Sequence, residues 1–329
     1  LIESTYGDRM HTMPLDYAEE LAKLMARTFG RGGNLVIPAF SVGRTQEMLY
    51  YLKKIKNANM LPQFADFEVY VDSPLAIEAT NVFNKNVKGC FDEEAMELVN
   101  QGINPLLFRG LKTTITSDES RQINFDTKPK VILSASGMCE AGRIRHHLKH
   151  NLWRPECTIC FVGYQAVGTL GRKLIEGAES VKLFGENITV NARIEVLKGI
   201  SGHADMNGLL DWIRGFEKIP DRVMVVHGED TVTDHFAKLV EDTFGCPAFA
   251  PYSGGTVDLA ANEIITIGQK IPKKSDEKPS KLKSASAFNR LVAAAKRLLN
   301  VVYKNEGLAN KDMAKFETQI QNLADKWDR

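Results

Sequence analysis

Short apolar runs that end in small polar residues, each followed by a segment with apolar positions three and four apart, recur along much of the chain. NLVIPAF leads through SVGR into TQEMLYYLKKIK, and FEVYVDSP leads into LAIEATNVF. VILSAS runs through GMCEAGR into IRHHLKH, and TICFVGYQ precedes AVGTLGRKLIEG. Ahead of these units Tyr17, Leu21, Leu24, Met25 and Thr28 fall at helical spacing, closed by Gly30, Gly32 and Gly33. Strands alternating with helices in this way predict an α/β fold, a mostly parallel sheet with helices on its faces.

The pattern changes twice. From Val181 short alternating strands take over, VKLFG and ENITVNARIEVLKGI, which suggests a second domain ending in a hairpin-like pair near PAFAPYSGGTVDL and EIITIG. Residues 271–284 read as a basic linker containing Pro272 and Pro279. Over 285–329 two amphipathic stripes follow, Phe288, Leu291, Val292, Ala295, Leu298, Leu299 and Val302, then Met313, Phe316, Ile320, Leu323 and Trp327. They predict a helical hairpin that packs on the body or a partner; neither polar face has the cationic dominance of a membrane anchor. Between Phe83 and Lys130 only the helix-like DEEAMELVNQG stands out, and the rest of that stretch takes no assignment.

A parallel sheet gathers its strand-to-helix loops at one edge, where helix dipoles and free N–H groups favour anions. Here those loops carry Ser41, Arg44, Ser73, Ser134, Ser136, Gly137, Gly142, Arg143, Tyr164 and Arg172, a set suited to contacting phosphates. The competing account is that serine and glycine simply fill tight turns. No G-x-x-x-x-G-K-[ST] occurs, which argues against a nucleotide P-loop.

The 329 residues suffice for about two domains. Lys plus Arg number 42 and Asp plus Glu 41, a net charge of +1, so any polyanion site must be local. Five cysteines lack framework spacing, which points to a reducing compartment, and Cys157 and Cys160 read as buried thiols. With no signal peptide and no run of about 18 apolar residues, a cytoplasmic location without membrane contact is the expectation. The opening LIESTYGDR reads as the middle or end of a buried strand, so a preceding segment is expected.

Candidate chemistry concentrates between Ile194 and Asp230. His203 lies in GISGHADM before the helical MNGLLDWIRGF, and His227 ends the strand RVMVV. Imidazole transfers protons and binds zinc near neutral pH, and strand-to-loop rims often hold catalytic groups.

In order along the chain, ESTYGDRMH, PAFSVGRTQE, VDSPLA, SASGMCEAGRIRHHLKH, GYQAVGTLGR, SGHAD and VVHGE resemble the β-CASP branch of the metallo-β-lactamase superfamily, RNA-processing nucleases. The likeness runs from Glu3 to about Gly268. It implies a β-CASP domain over 15–180, flanked by the end of a first metallo-β-lactamase segment over 1–14 and a C-terminal segment over 181–270. That is half of an αββα sandwich, with the N-terminal half expected elsewhere. The resemblance makes His227 a zinc ligand, His203 a general acid, and Glu3 the carboxylate that holds and charges the His203 imidazole.

Two zinc ions are implied for the intact parent, and the chain alone is expected to be inactive, because the family's H-x-H-x-D-H loop is absent. The implied reaction is hydrolysis of RNA phosphodiesters, with single-stranded RNA the expected partner and a second copy of the chain a candidate partner. Endonucleolytic and 5′-exonucleolytic modes both stay open. The alternatives are a non-catalytic RNA-binding scaffold and a small-molecule metallo-hydrolase. The cluster His146, His147 and His150 has the wrong order for the metal loop and reads as phosphate-facing or surface.

Overall fold

The computed structural model describes residues 1–12, 16–270, 287–304 and 310–327. It divides into two compact units, Leu1–Ile271 and Pro272–Arg329. In chain order the first unit contains β1 (Ile2–Glu3), α1 (Tyr17–Gly30), β2 (Leu35–Pro38), α2 (Arg44–Asn57), β3 (Glu68–Val71) and α3 (Pro74–Lys85). Then come α4 (Glu93–Asn100), β4 (Leu111–Thr113), α5 (Ser117–Phe125), β5 (Lys130–Ser134), α6 (Ile144–Asn151), β6 (Thr158–Phe161) and α7 (Leu170–Ile175). It continues with β7 (Ser180–Leu183), β8 (Glu186–Thr189), β9 (Arg193–Val196), α8 (Met206–Arg214) and β10 (Val223–Val226). Last are α9 (Asp230–Phe244), β11 (Ala248–Phe249), β12 (Thr256–Asp258) and β13 (Glu263–Thr266).

Six strands form one sheet in the order β4-β3-β5-β2-β6-β9. Every neighbouring pair is parallel. Side chains alternate faces along a strand, so β2 sends Leu35 and Ile37 into one core and Val36 into the other. Likewise β5 divides Val131 and Leu133 from Ile132. The first core is closed by Leu21 and Met25 of α1 with Leu49 and Leu52 of α2, the second by Ile144 and Leu148 of α6 with Leu174 of α7. A sheet covered on both faces needs near-continuous apolar strands, which LVIP, KVILS and TICF supply.

Helix starts follow local chemistry. Asp16 caps α1 by accepting from the Ala18 and Glu19 N–H groups, and Thr116 with Glu119 forms a reciprocal capping box on α5. At Gly33 a Cβ would stand 1.9 Å from the Glu156 carbonyl oxygen, so only glycine lets β2 begin beside that turn.

A second, three-stranded parallel sheet has the order β1-β10-β11. Ile2, Val223 and Val225 pack on Leu209, Leu210 and Ile213 of α8 and on Phe236 and Val240 of α9. The pairs β7–β8 and β12–β13 are antiparallel, as the alternating patterns predict.

Between Phe83 and Lys130 the helix-like DEEAMELVNQG forms α4, and the remainder, which carried no assignment, supplies α5 and the edge strand β4. β9 lies beyond Val181, where the hydrophobic pattern changes, and pairs with β6 at the other edge of the six-stranded sheet. Cys157 and Cys160 are buried in opposite cores, so they cannot share a metal. Burial pushes the Cys157 thiol up and the Cys160 thiol up to about 12.

The linker assigned to 271–284 lies outside the described residues. In the second unit the helices α10 (Ala287–Lys304) and α11 (Asn310–Trp327) carry the two stripes, with Leu298, Val302, Met313, Phe316 and Ile320 half-buried. No described helix is long and apolar enough to cross a membrane.

Candidate active site

Glu3 and His227 meet because β1 and β10 run side by side, Glu3 opposite Val226. One residue on, the Ser4 N–H donates to the His227 carbonyl at 3.2 Å, extending the pairing past the strand ends. His227 has φ +53, the left-handed region that non-glycine residues seldom occupy. Gly228 then passes so close to Ser4 that a Cβ would stand 2.5 Å from its hydroxyl oxygen. The strand therefore ends in a sharp turn, with the His227 side chain 65% exposed.

His203 arrives from the loop before α8, which is stitched to the segment after β1. Met206 N–H donates to Arg9 O at 3.0 Å, His11 N–H donates to Asp205 Oδ2 at 3.0 Å, and His11 Nε2 lies 3.0 Å from His203 O. Asp205 also caps α8 by accepting from Gly208 N–H, and these backbone hydrogen bonds hold its carboxyl below the usual carboxylate range.

The Glu3, His203 and His227 ligand atoms lie within 4.8 Å of one another. Glu3 Oε2 is 3.3 Å from His203 Nδ1 and 4.0 Å from His227 Nδ1, and the two imidazoles stack with centroids 5.2 Å apart. Between them sits Thr5 Oγ1, 3.3 Å from His203 Nδ1, 3.1 Å from His227 Nδ1 and 3.3 Å from the His227 carbonyl oxygen. The Thr5 N–H donates to Glu3 Oε2 at 2.7 Å.

A hydroxyl has one hydrogen and a carboxylate has none to give. One assignment meets every contact: Thr5 donates to the His227 carbonyl, His227 Nδ1–H donates to Thr5, and His203 Nδ1–H is shared between Glu3 Oε2 and Thr5 Oγ1, each 3.3 Å away. Both Nε2 atoms are then left without a partner among the described residues. Imidazole nitrogen is a donor that zinc accepts, and a ligating histidine commonly has its other nitrogen held by a hydrogen bond, as His227 Nδ1 is by Thr5. His227 therefore fits zinc as one ligand, while Glu3 and His203 are engaged with each other at Nδ1.

The other sequence-predicted residues lie at the C-terminal edge of the six-stranded sheet, and the structure divides them. Tyr164 and Arg172 converge on Glu229, two positions after His227: the Tyr164 hydroxyl donates at 2.6 Å and Arg172 Nη1 at 3.2 Å. Burial, then the hydrogen bond to the Glu229 carboxylate, pushes the Tyr164 phenol well up. Tyr6, between them and the histidines, meets the rings of Tyr164 and His203 at 5.7 and 6.4 Å.

Ser41 and Ser73 face each other at 3.4 Å, with Ser73 also capping α3, and Arg44 pairs with Glu47. Ser136 accepts from Ala141 N–H and the Gly137 carbonyl from Gln165. Gly142 has φ +82 and no room for a Cβ, which would stand 2.3 Å from the Ala135 carbonyl oxygen.

Ser134 and Arg143 turn inward. The Ser134 hydroxyl donates to the Asp72 carbonyl, while Arg143 donates to Asp72 Oδ1 at 2.8 Å and to the Thr114 and Ile115 carbonyls. Asp72 is fully buried and also receives Thr114, Ser120 and the Nε2 of His147, itself fully buried. His147 is thus an interior residue, not the phosphate-facing or surface group its neighbours suggested, because its Nδ1 is also engaged by Asn124 at 3.0 Å. Burial alone would raise the Asp72 carboxyl, but hydrogen bonds from His147, Ser120 and Thr114 hold it well below the usual range.

Thr5, Asp72 and Glu229 are residues that the sequence reading missed, and His147 is one whose buried partner it did not find. Each stands inside or beside a recognisable motif, ESTYG, VDSP, RHHL or VVHGE, but nothing local marks its partner.

Two domain families match the chain in succession. The Beta-Casp domain covers residues 45–174, and the Zn-dependent metallo-hydrolase RNA specificity domain covers 187–251. A ribonuclease of Thermus thermophilus is 38% identical over 230 residues, 70% of this chain and 51% of that protein. The transcription termination factor FttA of Methanocaldococcus jannaschii is 33% identical over 258 residues, 76% of this chain and 40% of that protein. An RNase J-like protein of the same archaeon is 32% identical over 256 residues, 77% of this chain and 57% of that protein. The chain spans about half the length of these relatives. With a parallel-sheet Beta-Casp domain followed by the metallo-hydrolase specificity domain that carries His203 and His227, the chain belongs to the β-CASP family of metallo-β-lactamase-fold proteins.

Proposed function

We propose that this chain serves zinc-dependent hydrolysis of RNA phosphodiester bonds, with single-stranded RNA as substrate. The observation that carries the reading is the convergence of Glu3, His203 and His227, with both Nδ1 atoms engaged by Glu3 and Thr5. The relatives named as ribonuclease and RNase J-like protein, and the RNA specificity domain, support RNA as the substrate class.

His227 holds zinc through Nε2, its ring oriented by the Nδ1–H bond to Thr5. The proposal extends to a pair of ions, for which His227 supplies one ligand and further protein ligands are required. Zinc, when bound, supplies a Lewis acid and a water acidic enough to act as nucleophile. His203 protonates the leaving oxygen from Nε2, and the Glu3 carboxylate at Nδ1 fixes the orientation of the ring. Tyr164 and Arg172, gathered on Glu229, and the polar loops at the sheet edge contact flanking phosphates.

The test is cleavage of single-stranded RNA by the zinc-loaded natural protein that carries this sequence. His203→Ala is expected to lower the rate by about 10²–10⁴-fold, the usual contribution of a general acid, at nearly unchanged RNA affinity. Full activity in that variant refutes the role of His203, and an absence of zinc-dependent cleavage in the unaltered protein refutes the reading as a whole.

A further inference from the structure

The sheet edge that carries the polar loops also exposes large apolar side chains. Phe40 and Val42 follow β2, Leu75 follows β3, Ile115 follows β4 and Val167 follows β6, while β5, between β3 and β2, is followed by Gly137. Val42, Leu75, Ile115 and Val167 are 45–69% exposed, and Phe40 is 48% exposed. Contacts tie these segments together: the Ser41 and Ser73 hydroxyls meet at 3.4 Å, and Arg143, from the loop after β5, donates to the Ile115 carbonyl at 2.7 Å. From β4 to β6 the rim crosses four strand spacings of about 4.8 Å, roughly 19 Å, which is room for several bases of one strand.

Phe40 is built into this rim. Its carbonyl oxygen accepts from the Thr45 N–H at 3.2 Å and from the Thr45 hydroxyl at 2.7 Å, which fixes the backbone. A Cβ at residue 137 would stand 3.1 Å from the Phe40 ring, so the ring leans on glycine backbone in a place that a side chain there would crowd. An aromatic ring buttressed in this way and half exposed takes a flat partner with little further ordering. Charge alone supplies little grip beside it. The three arginines predicted for this edge are each paired with carboxylates, Arg44 with Glu47, Arg143 with Asp72, and Arg172 with Glu176 and Glu229, so they meet a phosphate already neutralised.

From these contacts we infer that Phe40 is a base-stacking platform for unpaired RNA, that the neighbouring apolar side chains extend it, and that base faces carry more of the strand's affinity than phosphates do. The inference rests on the RNA reading above and sharpens it, because a duplex hides its base faces and only an unpaired strand can turn them to the rim. The platform connects to the histidines by direct contacts. The Gly137 carbonyl accepts from Gln165 Nε2 at 3.0 Å, the Gln165 carbonyl accepts from Arg172 Nη1 at 3.4 Å, and Arg172 reaches Glu229, two positions after His227. Apolar side chains interleaved with serines, glycine and paired arginines suit bases strung on a phosphodiester backbone, whereas a protein partner calls for a contiguous apolar patch.

The experiment compares the natural protein that carries this sequence with Phe40→Ala, with Phe40→Leu, which keeps apolar bulk and loses the aromatic face, and with Phe40→Trp, using thermal melts to confirm folding. Binding of fluorescein-labelled oligoadenylate, and of an abasic ribose-phosphate strand of equal length, is followed by anisotropy in EDTA so that no strand is cut. Oligoadenylate is expected to bind the unaltered protein more tightly than the abasic strand. Phe40→Ala and Phe40→Leu weaken oligoadenylate by about 5- to 150-fold, the usual range for one stacked base, Phe40→Trp restores it, and the abasic strand binds all four proteins alike. Unchanged oligoadenylate affinity in Phe40→Leu, or an abasic strand held as tightly as oligoadenylate, overturns the inference, and continued cleavage of RNA by the unaltered protein would leave the functional proposal intact. Phe40-dependent binding by a protein that cleaves no RNA would sink the functional proposal and leave the platform standing.

Discussion

Asp72→Asn removes the charge at the centre of the first unit's most buried polar network. Each carboxylate oxygen of Asp72 accepts two hydrogen bonds: Oδ1 from Thr114 at 2.5 Å and Arg143 at 2.8 Å, Oδ2 from Ser120 at 2.6 Å and His147 at 2.6 Å. Asparagine keeps one oxygen and turns an NH₂ toward two donors, so at least two of these bonds are lost, and Arg143 is left without its carboxylate. Breaking a buried ion pair from one side costs about 3–5 kcal/mol. At roughly 2–4 °C per kcal/mol for a domain somewhat smaller than this one, the melting temperature falls by about 6–20 °C.

The assay is calorimetric melting of wild type and variant at several pH values. The Asp72 carboxyl titrates below its ordinary value of 3.8 in the folded chain, so its contribution is complete above that value and is lost as the pH falls through the lower folded value. The gap in melting temperature is therefore full at neutral pH and narrows below pH 3.8. A shift under about 2 °C at neutral pH, or a gap that widens in acid, would show that the network does not hold the sheet edge as argued.

Replacing Thr5 with valine removes the hydroxyl between the two imidazoles at little change in shape. The expected result is a loss of about 10–100-fold in zinc affinity or cleavage rate, restored by Thr5→Ser, with about 1 kcal/mol or less in stability by denaturant titration. Gly142→Ala should destabilise by about 1–3 kcal/mol, because residue 142 sits at φ +82 with a Cβ 2.3 Å from the Ala135 carbonyl oxygen. Gly163→Ala, which meets nothing within 4 Å, is the control and should change the denaturation midpoint by no more than about 0.5 kcal/mol equivalent.

Local pattern carried much of the architecture. The alternation of LVIP, KVILS and TICF with amphipathic helices specifies strands covered on both faces, and such a sheet is parallel wherever helices serve as crossovers. The weak stretch before Lys130 defeated the same reasoning, because β4 is a three-residue edge strand, LKT, with little apolar content to read. β9 was equally hard to place. Its short RIEV run resembles the preceding hairpin strands, yet its partner is β6, some thirty positions earlier.

By itself, then, the sequence determined the α/β alternation, the placement of polar loops at one sheet edge, and the candidacy of Glu3, His203 and His227. Those properties depend on residues a few positions apart, whose spacing sets which face a side chain takes. Only the tertiary structure decided that Thr5 would stand between two histidines, one of them 222 positions away, that Glu229 would gather Tyr164 and Arg172, and that His147 would be buried on Asp72. It also turned Ser134 and Arg143 inward from an edge where every polar residue looked alike in sequence. The physical reason is the strand order: β4-β3-β5-β2-β6-β9 and β1-β10-β11 make neighbours of segments that the chain keeps far apart, and a buried polar group takes whichever partner that order brings within hydrogen-bonding distance.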